Sequence, residues 1–88
     1  TVKVTIHDSS DQPLGSGKDI TYTLDHAGTC DTATDSNSQI TCSGLALGTS
    51  YTVSVTWNDG ANDHTGSGSF STNATGGSDS PPTVKLGN

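Results

Sequence analysis

The sequence predicts an all-β chain of six or seven short antiparallel strands, arranged as a sandwich or a barrel. Three observations carry this. Apolar residues recur with a period of two in short runs, the pattern of half-buried strands. The runs are bounded by clusters of Asp, Asn, Ser, Gly and Pro, which suit turns. No window gives a helical period, and all nine acidic residues are Asp, with no Glu to favour a helix. Eighty-eight residues make one domain. With 27% hydrophobic and 5% aromatic residues its core is small, the situation in which small domains often need a covalent staple.

The elements follow in order. Residues 1–6 alternate, with Val2, Val4 and Ile6 on one face. Residues 7–13 read as a turn, Leu14 as an anchor and 15–19 as a short flexible link. Residues 20–24 place Ile20, Tyr22 and Leu24 inward, and 25–28 break the strand. Residues 29–33 read as a short edge strand and 34–38 as a turn. Ile40 and Cys42 then share a face of 39–43.

The strongest signal is 51–57. Tyr51, Val53, Val55 and Trp57 alternate with Thr52, Ser54 and Thr56, and this stretch holds the only Trp and one of two Tyr. The rest of the core is expected to pack against it. Asn58-Asp-Gly60 is a turn signal, and 58–66 reads as a projecting polar loop. Residues 67–72 form a closing strand whose one large residue is Phe70. The chain divides into a body (1–72), a Gly/Ser-rich linker (73–80) and a C-terminal edge or donor strand (81–88), with Val84 and Leu86 on one face.

Charge limits the partners. The net charge is −6, with three Lys and no Arg, which argues against nucleic acid and anionic membrane. No apolar run is long enough to insert into a membrane. The 28 Ser and Thr residues keep the strand faces wet without Lys or Arg. Cys30 and Cys42 lack CxxC spacing and a partnering His, so they read as a disulfide, with two free buried thiols as the alternative. A disulfide implies an oxidising compartment, and so an extracellular or cell-surface location. No leader segment is recognisable, which reads as a mature or trimmed form.

Two resemblances follow from particular residues. The opening strand with Asp8-Ser-Ser-Asp-Gln-Pro-Leu14, then Thr34-Asp-Ser-Asn-Ser-Gln-Ile40, Ser43-Gly-Leu45 and Gly48-Thr-Ser-Tyr51, resembles bacterial surface modules of the Cna-B and carboxypeptidase-regulatory-like type over residues 1–55. Ser38 stands where that pattern usually has Gly. Residues 45–72, with Leu45, Gly48, Thr49, Tyr51, Val53 and Val55 before a hairpin and a closing strand, are similar to the end of a fibronectin type III domain. Both resemblances imply a seven-stranded antiparallel Ig-like sandwich without catalysis, here with one disulfide. Both also imply a tyrosine corner at Tyr51, its hydroxyl bonded to backbone upstream.

The Cna-B resemblance also raises a Lys–Asn isopeptide bond between Lys3 and Asn88. Lys3 alternates with Val2 and Val4 and so points outward, and there is no Glu to catalyse the bond, although a buried Asp could. Oxygen donors gather at Asp8 and Asp11, at Asp31 with Asp35 and Asn37, and at Asn58, Asp59, Asn62 and Asp63. No run fits an EF-hand, and Asx residues more often close turns. No cofactor is expected, and calcium would sit only where end loops converge. His7, His26 and His64 are scattered through turns without zinc spacing and read as surface residues. There is no G-x-S-x-G elbow, and Gly66-Ser-Gly-Ser reads as flexible strand, not a phosphate loop. No enzyme is expected.

Asn73-Ala-Thr75 is the one N-glycosylation sequon, and O-linked sugar on the Ser/Thr faces is equally permitted. Trp57 could stack on a sugar, but its phase with Tyr51, Val53 and Val55 favours the core or its edge. Thr83-Val-Lys85 repeats Thr1-Val-Lys3. Thr83, Val84, Lys85 and Leu86 can therefore fold back as an edge strand, or cross to a neighbouring copy as a donor strand. The expected function is a non-catalytic structural or adhesive unit of a surface stalk or filament. Its partners would be other copies or neighbouring domains, met through edge strands. The competing expectation is a carbohydrate- or calcium-binding module of a secreted enzyme, with Trp57 or Tyr22 exposed.

Overall fold

The structure, a computed structural model, describes residues 1–87. Among them are seven strands and no helix: β1 (Val2–His7), β2 (Ile20–Leu24), β3 (Thr29–Cys30), β4 (Gln39–Ser43), β5 (Ser50–Asn58), β6 (Asp63–Ser71) and β7 (Thr83–Lys85). They form two sheets, β3-β4-β1-β7 and β2-β5-β6. Hydrogen bonds link the sheets on both sides. Ile20 N–H donates to Thr32 O at 2.8 Å, and Gly87 N–H to Thr65 O at 2.9 Å.

The alternation on β1 and β5 becomes burial. Val2, Val4 and Ile6 from one sheet meet Tyr51, Val53 and Val55 from the other in a single apolar cluster, with Ile20, Ile40, Phe70, Val84 and Leu86. Tyr22, Leu24 and Trp57 pack half-buried at its margin. Cys30 and Cys42 are directly opposed on β3 and β4 and form a buried disulfide across 12 residues of sequence. It fits an oxidising compartment. No helix long and apolar enough to cross a membrane occurs among the described residues.

The sheets are not purely antiparallel. β7 runs parallel to β1, with Thr5 opposite Thr83, Ile6 opposite Val84 and His7 opposite Lys85. The chain path explains the direction. After β6 the chain returns to the start of β1, where the Thr1 ammonium donates to Gly76 O at 3.1 Å. It then follows β1 forward: Thr5 N–H donates to Pro82 O at 3.1 Å, and Leu86 N–H to His7 O at 2.9 Å.

The loop expected at 58–66 is also shorter. β5 and β6 stay paired out to Asn58 opposite Asp63, leaving only residues 59–62 as the turn. Side chains hold the hairpin end together, through Thr56 and Thr65 hydroxyls at 3.0 Å and Asn58 Nδ2–H donating to Asp63 Oδ1 at 2.8 Å.

Asp8 and Asp35 head two turns built alike. Each Oδ1 accepts backbone N–H from the second and fourth residues onward: Ser10 and Gln12 for Asp8, Asn37 and Gln39 for Asp35. The third residue onward takes a left-handed conformation, Asp11 at φ 62° and Ser38 at φ 60°. Ser38 stays there because its Oγ accepts the Gly15 N–H at 2.9 Å and its carbonyl accepts the Ile6 N–H.

Candidate functional site

The C-terminal strand occupies a seat made by two elements. β1 supplies an edge of backbone hydrogen bonds. β6 supplies a face from which side chains are missing, because its inward positions next to Phe70 are Gly68 and Gly66. A β-carbon at Gly68 would stand 3.2 Å from both Pro82 Cβ and Val84 Cγ2. One at Gly66 would stand 3.1 Å from Val84 Cγ1 and closer still to the Lys85 carbonyl. The absent side chains are thus the room that β7 fills. Val84 and Leu86 are 0% and 1% exposed there, Pro82 is buried beside them, and Thr83 and Lys85 face solvent. The signal was present as glycine at period two in phase with Phe70.

His64 closes the far end of the seat. Its ring stacks on Trp57, with centroids 5.5 Å apart and planes 28° from parallel. Nδ1 lies 2.9 Å from Gly87 O, and Nε2 lies 2.7 Å from Asp59 Oδ2. Both partners are acceptors, and only the doubly protonated ring donates to both. The bond to Asp59, then the bond to Gly87, raise the imidazole above the ordinary histidine range. Asp59 is held down to about 2, by His64 first and then by the Asn62 and Ala61 amides. No sequence spacing announces this contact, since His64 and Gly87 are 23 residues apart.

Tyr51 accepts the Ala46 N–H at 2.8 Å and donates to the Ala27 carbonyl upstream. Its ring stacks on Phe70 at 5.2 Å and meets the His26 ring edge-on at 5.4 Å. Lys3 is exposed on β1 opposite Thr41. Asn88, its isopeptide partner in the sequence reading, lies outside the described residues. Asn73 is half-buried, and its Oδ1 accepts from Thr75 N–H, Thr75 Oγ–H and Gly77 N–H, closing a turn on its own sequon.

The aspartates gathered by the sequence are engaged with backbone, with histidine or, for Asp63, with the Asn58 amide. Asp31 accepts from Thr41 N–H and Asp25 from Thr52 N–H, while Asp8, Asp35 and Asp59 cap turns. His7 and His26 sit beside Asp11 and Asp25. No group of three His, Cys, Asp or Glu placed to hold a metal occurs among the described residues. An open cleft of about 540 Å³ lies at the other end of β5 and β6, lined by Asp25, Thr52, Ser69, Ser71, Asn73 and Asp79.

Comparison of the chain with protein-family models, curated proteins and solved structures finds no match.

Proposed function

We propose that the chain is a non-catalytic, extracellular structural or adhesive unit. Its fold is read as an Ig-like sandwich of the Cna-B or fibronectin type III kind, working in a surface stalk or filament through edge-strand contacts. The seat of β7 supports this reading. A three-residue edge strand with a buried apolar face lies in a groove from which two side chains are missing. Donor strand and acceptor groove are therefore distinct parts of one chain, joined by a segment whose hydrogen bonds to the body are few. If the donor of one unit enters the groove of the next, the contact is head-to-tail and builds a filament.

Size analysis and electron microscopy of the intact chain, beside one ending after Gly77, test this. Assembly by the intact chain alone supports the filament. Monomers from both at every concentration eliminate it and leave the tandem stalk.

A carbohydrate-binding role is the second reading, favoured by the hydroxyl-lined cleft and by Trp57 stacked half-buried on His64. Titration of tryptophan fluorescence with glycans separates the two: a saturable change favours the module, and a flat signal favours the structural unit.

A further inference from the structure

We propose that the His64 imidazole is a proton-operated clasp, which holds the C-terminal strand on its own body and releases it, as pH rises, to the seat of a second copy. The second half of this inference rests on the assembly reading above.

The clasp follows from counting donors. Gly87 O and Asp59 Oδ2 both face a ring nitrogen. A neutral imidazole has one N–H and can serve one of them. The carboxylate wins that proton, because a hydrogen bond to a charged acceptor is the stronger. A ring nitrogen lone pair then faces the Gly87 carbonyl, and the tail loses the imidazole's part of its hold at that end, keeping the Gly87 N–H bond to Thr65. The groups around the ring favour the charged form. Asp59 reaches it from the β5–β6 turn, and Asp63 acts from β6 itself. β5 offers the uncharged Trp57, and the tail offers a carbonyl. Lys85, the tail's own cation, acts on Asp11.

The rest of the tail is held by its three-residue pairing with β1, by Pro82 O and Leu86 N–H bonded to β1 at either end of that pairing, by Gly87 N–H on Thr65, and by the burial of Val84 and Leu86. Among the described residues His64 is the side chain that bonds it. Once it leaves, β1 presents an open edge and β6 a face without side chains. The occupant that fits both is the same segment of another copy. Reach permits the transfer. Residues 73–82, fully extended, span ~33 Å, more than the molecule's 23 Å and 19 Å extents and less than its 40 Å length, so the transfer is open across the short dimensions.

The test uses the full chain at about pH 5.5 and about pH 8.5, either side of ordinary histidine titration. Amide hydrogen exchange is read as protection factors, so the intrinsic pH dependence is removed. Protection at Leu86 and Gly87 should fall roughly tenfold at the higher pH while β5 amides hold theirs. His64→Gln keeps the other two histidines and should give low tail protection with no pH step. Asp59→Asn should move the step to lower pH, which a merely structural contact would not do. A step that is absent from the wild type, or that persists in His64→Gln, overturns the clasp.

Mixing isotopically light and heavy copies and reading mixed oligomers by native mass spectrometry tests the second copy. Mixed species that increase with pH support it. Mixed species equal at both pH values overturn the clasp and leave the assembly standing. An opening clasp with no mixed species at any pH overturns the transfer to a second copy, together with the filament reading.

Discussion

The carbonyl of Lys85 lies directly over the α-carbon of Gly66, so close that no β-carbon fits between them. Backbone on backbone leaves nothing flexible to move aside. Gly66→Ala therefore has to push β7 off its seat, at a cost of about 1–3 kcal/mol. Gly68→Ala meets side chains, Pro82 Cβ and Val84 Cγ2 at 3.2 Å, which can yield by tenths of an ångström. Alanine also regains about 0.5–1 kcal/mol over glycine in a strand interior, so Gly68→Ala should be near neutral. Denaturant unfolding of both variants decides the matter. A Gly66→Ala midpoint equal to wild type would show that the close approach is not a constraint.

Tyr51 is 1% exposed and its hydroxyl joins the backbone of Ala46 to that of Ala27. Tyr51→Phe keeps the stack on Phe70 and leaves both backbone groups without a partner. The expected loss is about 1–3 kcal/mol by the same unfolding measurement. An unchanged midpoint would mean that water replaces the hydroxyl and that the corner does not fasten the chain.

The strands of the core were legible because local alternation alone decides which face of β1 and β5 is apolar. The turns were legible for a similar reason, since Asp8 and Asp35 bond only to residues within four positions. Depth was not legible. Trp57 shares the phase of Val55 but sits near the strand end, where the face leaves the core and meets His64. Direction was not legible either. β7 is parallel because Gly76 returns to Thr1, a contact 75 residues apart that no local pattern encodes. Gly66 and Gly68 were visible but read as flexibility. Their purpose appears only when the strand lying over them is seen.

Ser38 holds a left-handed conformation that glycine adopts without strain, and its Oγ bonds the Gly15 amide. Two substitutions separate these effects. Ser38→Ala keeps the strained φ and strands the amide, for a loss of about 1–3 kcal/mol. Ser38→Gly strands the same amide but relieves about 1–2 kcal/mol of backbone strain. Glycine should therefore be the milder change. Both variants lose the bond to Gly15, so an alanine tolerated better than glycine would show that the backbone strain was misjudged.

The disulfide closes 12 residues of sequence in a chain with little apolar area. The Cys30→Ala, Cys42→Ala double variant should lose about 2–4 kcal/mol, mostly by freeing the unfolded chain. Protein secreted into an oxidising medium should weigh about two daltons less than the reduced chain. A full reduced mass from such a source would contradict the oxidising-compartment reading.

Asp59 and His64 set opposite limits on the pH range in which their contact stabilises the fold. The carboxyl is held down to about 2, so its contribution is complete above the ordinary carboxylate range and is lost as pH falls toward that value. The imidazole is raised, so its contribution is complete below the ordinary histidine range and is lost as pH rises through its folded value. The contact should therefore be fully formed between roughly pH 4.5 and pH 6. NMR titration of the Asp59 carboxyl carbon should give a midpoint near 2 in the wild type. In His64→Gln it should rise, yet stay below the ordinary carboxylate value, because the Asn62 and Ala61 amides still bond to it. A midpoint that does not move when the imidazole is removed would show that the turn amides alone hold Asp59.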